Sequence, residues 1–370
     1  MPPKVYFVSA KDDHGVSLPD KMSRLLDAAD IGKGISKGDL VAIKLHVGEP
    51  GNLSFVPPQL VRRVVDKVRA VGGNPFLTDA NTLYVGQRSN GVNHAMAAIS
   101  NGFGVEVTGA PFIVADGLTG QDYVGVSMPG PFIREAKIAS AIARADAVIS
   151  VAHFKGHQLS GFGGTLKNLG MGSASRAGKQ VQHSDLKPRT NQERCVGCGR
   201  CVRYCPAEAI ALVDRRAEAD WGKCIGCGEC VVVCRHKAMQ INWDEGAPGS
   251  MQRRMAEYAA AALAGKEGKT GFVNVAIRIS PNCDCNPVND IPVVSDIGLL
   301  ASHDPVALDQ ASSDMVVRAA GAPGGACCDV GEHEDKFKSV FPNTDWNAQL
   351  EHAEAIGLGS RKYELVELMR

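Results

Sequence analysis

Apolar residues recur along this chain in two rhythms. Short unbroken or alternating runs at Val5–Ala10, Leu40–His46, Asn74–Asp79 and Ala147–Phe154 have the length and β-branched content of strands. Between them, helical spacing is predicted over Lys21–Ala29, from Pro57-Pro58 through Val71, and over Asn93–Ser100. The proline pair suits a first helical turn and Gly72-Gly73 ends that helix. A further helix is predicted over Arg134–Ala145. Later, Met251–Ala264 reads as a helix, Gly271–Ile279 as a β-rich run, and Val293–Ala301 with Asp304–Ala320 as a strand followed by a helix. Strands separated by helices of this length predict an α/β fold, a mostly parallel sheet with helices on both faces.

Asn191 to Trp243 break the rhythm. Cys195, Cys198, Cys201 and Cys205 follow C-x2-C-x2-C-x3-C with Pro206 after the last, and Cys224, Cys227, Cys230 and Cys234 repeat the spacing 29 residues on. Three thiolates in a glycine-rich loop can wrap one iron–sulfur cube, while the fourth, on the following helix, points away to a second. Gly197, Gly199, Gly226 and Gly228 supply such loops. Zinc ribbons need pairs of C-x2-C instead of a triplet with a singlet. The stretch resembles a bacterial-type two-cluster ferredoxin, an α+β module. That resemblance implies two [4Fe–4S] clusters, one held by Cys195, Cys198, Cys201 and Cys234, the other by Cys224, Cys227, Cys230 and Cys205. It also implies short strands at residues 209–212 and 238–241, and Arg235 stands where such modules usually carry proline. The expected organisation is an α/β domain begun at 1–187, a ferredoxin-like insert at 188–245, and the α/β domain completed at 246–370.

Charge narrows the function. Forty basic and forty acidic residues cancel, which argues against a nucleic-acid-binding protein. No run approaches the ~18 apolar residues that span a bilayer. The opening Met1-Pro2-Pro3-Lys4 leads straight into a strand-like run, so a cytoplasmic protein is expected. In that compartment twelve cysteines point to metal ligation, not disulfides. Lys187 to Glu245 carry two more basic than acidic residues, which would attract an acidic donor.

Polar residues cluster after the strand-like runs, where a sheet of this kind places its site. Lys44 to Asn52 contain His46 and Glu49, a pairing suited to acid–base chemistry. Residues 78–82 form a second polar strand end. His153 and His157 are spaced to meet on a helix, but Gly156 and the preceding strand argue against one. Lys155, Gly163, Gly164, Lys167 and Asn168 form a candidate anion site of lysines beside glycine-rich backbone. Gly161 to Gly164 lack the partners of a dinucleotide fingerprint, and Gly268-Lys269-Thr270 lacks the glycine a phosphate loop needs at position 263. Cys283 and Cys285, one residue apart, would point to the same side of an extended chain, as a soft-metal clamp, redox thiols or a substrate contact.

These segments, with Leu166-Lys167-Asn168, Cys283-Asp284-Cys285 and the run from Asp296 to Asp309, resemble the domain-of-unknown-function family numbered 362. The resemblance implies the fold and an iron–sulfur branch with a ferredoxin module; it names no substrate. The expected function is an oxidoreductase taking electrons from a ferredoxin- or flavodoxin-like donor and reducing a small anionic substrate or cofactor. His46, Glu49, His157 and Lys167 are its candidate catalytic residues. Two alternatives stay open: an electron-transfer protein whose large domain docks a partner enzyme, and a non-redox enzyme with structural or sensing clusters.

Overall fold

The computed structural model describes residues 1–12, 15–84, 86–183, 188–205, 207–224, 229–241 and 249–368. Its central sheet contains β1 (Lys4–Ser9), β2 (Leu40–Lys44), β3 (Asn74–Asp79), β4 (Phe112–Val114), β5 (Ala147–His153), β6 (Thr270–Ala276), β7 (Gly298–Ser302) and β8 (Glu364–Glu367). The spatial order is β8-β1-β7-β6-β5-β2-β3-β4. Only β7 runs against its neighbours, pairing antiparallel with both β1 and β6; the other pairs are parallel.

Alternation along each strand divides the core. Val41, Ile43, Ile149, Val151, Val273 and Val275 face one side, and Ala42, Val148, Phe272 and Ala276 face the other. On the first side lie α1 (Leu18–Ala28), through Met22, Leu25 and Leu26, and α2 (Pro58–Ala70), through Leu60, Val61, Val64, Val65 and Val68. Each such side chain contributes roughly 1.5–3 kcal/mol when fully buried. On the second side lie α3 (Thr165–Ser173), α4 (Ser250–Leu263) and α5 (Pro305–Arg318). Ser17 caps α1 and Asp304 caps α5 by accepting backbone N–H groups of the first turn.

Two stretches depart from the sequence expectation. Residues 134–145 hold no continuous helix: Glu135–Ala139 is a strand paired with Tyr123–Ser127, and only Ser140–Ala143 is helical. Good helix formers disguise a period of two there, with Ala136 and Ile138 buried and Glu135 exposed. The strand expected from Val293 begins at Gly298. Val293 and Val294 are buried, but only a single bridge, Val294 to Gly321, pairs that stretch.

The cysteine-rich segment leaves after β5 and returns before β6, strands that are neighbours in one sheet. Within it, Pro188–Thr190 pairs with Met239–Ile241, and Ile210–Val213 with Arg216–Ala219. One-turn helices span Arg200–Arg203 and Glu229–Val233. Both expected domain boundaries fall at stretches 184–187 and 242–248, outside the described residues. An ion pair between Lys137 and Glu229, 2.9 Å, ties the segment to the main body. Among the described residues no helix is long and apolar enough to cross a membrane.

Candidate functional site

Four adjacent strands, β6-β5-β2-β3, end on the same side, and the loops beyond their carboxyl ends enclose a cavity of about 410 Å³. His46 follows β2; Tyr84 and Arg88 follow β3; Lys155 and His157 follow β5; Cys283 and Cys285 follow β6. Lys167 and Asn168 reach it from α3, and Lys179 from the short helix Arg176–Gln182. Residues spread over more than two hundred positions therefore share one wall.

Buried ion pairs hold the floor. Lys44 Nζ lies 2.9 Å from Asp79 Oδ1 and donates to Asn168 Oδ1 and Leu45 O, both at 2.9 Å. Asn168 Nδ2 donates in turn to Lys44 O and Ser150 Oγ. Arg88 joins Asp79, 3.3 Å, to Glu49, 2.9 Å. Burial pushes the Lys44 ammonium down, against the pull of Asp79.

The histidines are oriented by backbone amides. His46 Nδ1 accepts the Gly48 N–H at 3.0 Å. His157 Nδ1 accepts the N–H groups of Leu159 and Ser160, each at 3.2 Å. Burial, with Arg88 beside it, drives His46 well below its usual range; burial, with Lys167, drives His157 down to about 4. Both rings are then neutral with the proton on Nε2. His153, for which a metal, acid–base or purely structural role was open, is buried at the cavity edge and bonded to Asp284.

Cys283 and Cys285 lie in a turn closed by Asn286 N–H to Cys283 O, 2.8 Å, not in an extended chain, yet both thiols reach the cavity. Cys283 Sγ accepts the Cys285 N–H at 3.4 Å and faces Lys167 Nζ at 3.8 Å. The Cys285 thiol donates to it, and that bond with Lys167 and His157 outweighs burial and holds Cys283 well below an ordinary thiol. Cys285 is correspondingly pushed well up. Donor atoms of His157, Cys283 and Cys285 lie within 4.8 Å of one another, as a metal site requires. Cys327 stands apart, its thiol donating to Lys336 O.

Of the residues expected from sequence, His46, Lys155, His157, Lys167, Asn168, Cys283 and Cys285 line the cavity. Glu49 does not, and it does not orient His46: its carboxylate accepts from Arg88 and the Gln87 N–H. Gly163 and Gly164 also lie off the wall. The amides that would follow them in an anion site, Thr165 N–H and Leu166 N–H, are taken by Asp309, each at 2.8 Å. Arg88, Lys179 and His183 were not anticipated; each stands among other polar residues that form no recognisable motif.

A second, small pocket lies in the cysteine-rich segment. Cys195, Cys198, Cys201 and Cys234 line it together with Leu212, Ala217, Ala238 and Met239. Gly197 and Gly199 turn its loop at φ of 67° and 71°, a conformation that favours glycine. Backbone amides of Ala217 and Ala238 donate to the sulfurs of Cys195 and Cys234 at 3.4 and 3.2 Å. Cys205 accepts the Ala209 N–H at 3.2 Å, Cys230 is buried, and Cys227 lies outside the described residues. Leu83 belongs to the apolar cluster around Cys201 and Cys230 and also lines the large cavity.

A family model described as Domain of unknown function (DUF362) matches residues 41–314. The chain belongs to that family. In DUF362 terms, the matched span starts in β2 and contains every loop of the cavity described above. No curated protein matches the sequence. Among solved structures, the chain is similar to the lactate racemase apoprotein from Thermoanaerobacterium thermosaccharolyticum, at 15% identity and a TM-score of 0.36. That alignment covers 74% of this chain and 51% of the other, so the chain spans about half the length of that structure.

Proposed function

We propose that this DUF362 protein is an iron–sulfur oxidoreductase that reduces a small anionic substrate or cofactor in the large cavity. Cys195, Cys198, Cys201 and Cys234 would hold one [4Fe–4S] cluster, and Cys224, Cys227, Cys230 and Cys205 the other. The residues present fit the first group: four thiols converge on one pocket with apolar walls and amides aimed at the sulfurs, the surroundings that tune such clusters. Clusters bound there supply one-electron transfer. The observation that carries the reading is Leu83, which belongs to the apolar cluster containing Cys201 and Cys230 and also lines the wall of the cavity.

The protein's own residues do the rest. Lys155, Lys167, Lys179 and Arg88 face the cavity with Asp79 as the one acidic lining residue among those described, which favours an anion. His46 and His157, each protonated on Nε2, can donate to it. A ferredoxin- or flavodoxin-like donor would dock on the cysteine-rich segment. Anaerobic purification followed by metal analysis tests the reading: about eight iron and eight sulfide per chain are expected, with a paramagnetic signal after reduction. Iron-free protein that stays colourless after reconstitution would overturn it.

A further inference from the structure

The cavity contains a nucleophile that electron transfer alone does not require. Cys283 Sγ accepts the Cys285 N–H, faces the Lys167 ammonium, and has the Cys285 thiol and a His157 ring nitrogen within 4.8 Å. The tautomer of His157 decides what this constellation can be. A metal-bound histidine normally donates its remaining ring N–H to an acceptor. Here Nδ1 instead accepts two backbone N–H groups, which leaves the proton on Nε2, the nitrogen that a metal shared with Cys283 and Cys285 would need bare. That ring donates toward sulfur; it does not ligate.

We propose that Cys283 and Cys285 form a redox-active dithiol, with Cys283 as nucleophile and Cys285 as resolving thiol, acting on a small anionic disulfide. The Cys283 thiolate attacks one sulfur of the substrate, forming a mixed disulfide and breaking the substrate S–S bond, and one thiolate leaves. The Cys285 sulfur then attacks Cys283, its proton passing to the second leaving thiolate, and the Cys283–Cys285 disulfide forms. The substrate gains two electrons and the two cysteines lose them. Returning the pair to thiolate and thiol takes two electrons and one proton, supplied by a low-potential carrier of the ferredoxin class acting twice. Thiol–disulfide exchange is fastest for an accessible thiolate with a good leaving group. Lys167 and the neighbouring cations both favour the Cys283 thiolate and draw in an anionic partner.

Asp284 makes the turn suitable. Its carboxylate is buried against His153 and Lys155, and its carbonyl accepts the Glu49 N–H at 2.9 Å, so the turn is anchored from behind while both flanking thiols face the cavity.

This inference rests on the cavity being the site of reaction, as proposed above, but not on the clusters. The test uses the full chain purified anaerobically, treated with dithiodiglycolate, a dianionic disulfide, or with cystamine, a dicationic one of similar size. Peptide mass spectrometry then maps every cysteine. Wild-type protein is expected to gain a Cys283–Cys285 disulfide, and Cys285→Ser to accumulate the adduct on Cys283. The dianion should react faster than the dication by about tenfold or more. The proposal is overturned if Cys283 reacts no faster than exposed Cys328, if the charge preference is absent, or if the wild type carries a stoichiometric metal that Cys283→Ser loses. Iron content and the paramagnetic signal are read on the same samples. Unreactive Cys283 with full iron sinks the dithiol alone, and reactive Cys283 without iron sinks the cluster reading alone.

Discussion

His153 Nδ1 lies 2.8 Å from Asp284 Oδ1, and both side chains are fully buried. The other ring nitrogen of His153 faces Ile277 O at 2.9 Å, so the imidazole joins the end of β5 to the loop after β6. Lys155 Nζ adds a cation 3.3 Å from Asp284 Oδ2. This contact sets where the Cys283 turn sits relative to His157.

Asp284→Ala should therefore destabilise the protein by about 3–5 kcal/mol, because it leaves the buried Lys155 ammonium uncompensated and the His153 ring without its acceptor. Denaturant unfolding measures this. Burial alone would raise the Asp284 carboxyl, but His153 and Lys155 overcome it and hold the group far below the usual range. With the folded value below the unfolded one (about 3.9), its stabilisation is complete at neutral pH and is lost as pH falls through the acid range. Asp284→Asn should remove that component from the acid limb of the stability curve; an unchanged limb would contradict the assignment.

Lys179 predicts how anion binding responds to base. Burial pushes its ammonium down to about 8, against Asp116 and Asp79. The folded value lies below the unfolded one, so a buried charge is present below pH 8 and disappears as pH rises through it. Affinity for a small dicarboxylate, measured by calorimetry, should weaken several-fold between about pH 7 and 9. Lys179→Gln should bind more weakly near pH 7, approach the wild type near pH 9, and lack that step.

The cysteine pocket makes a stoichiometric prediction. Cys201→Ala and Cys234→Ala, from opposite ends of the segment, should each lower iron by about four per chain, because both line one pocket. Cys328→Ala, at an exposed thiol outside either set, should leave iron unchanged. Unequal losses for Cys201 and Cys234 would break the pairing.

Gly156 tests the close approach of two loops. A Cβ there would lie 2.3 Å from Pro281 O, in backbone that the Gly156 N–H to Ser280 O bond of 2.8 Å holds in place. Gly156→Ala should cost about 1–3 kcal/mol and part the hairpin that pairs Lys155–His157 with Gly161–Gly163 from the Cys283 turn. Thermal unfolding reads the first effect. Slower alkylation of Cys283 under native conditions reads the second.

Local pattern carried much of this architecture. β2, β3 and β5 appear within two residues of their expected ends, because alternation and β-branched content act over a few neighbours. His46, His157, Lys167 and Cys283 were legible as polar residues just beyond strand ends, and they do share one cavity. Glu135–Ala139 failed because its alanines and charged residues suit a helix, and only pairing with Tyr123–Ser127 and burial of Ala136 and Ile138 make it a strand.

The sequence by itself determined the strand and helix rhythm and the two cysteine quartets, since both depend on spacing along a short stretch of chain. The tertiary structure alone decided that Glu49 serves Arg88 instead of His46, that Asp309 takes the amides at the start of α3, and that Arg88 and Lys179 join the cavity. Those choices follow from which strands lie side by side. A side chain's charge partner is set by distance in space, and in a sheet ordered β6-β5-β2-β3 that distance bears little relation to separation along the chain.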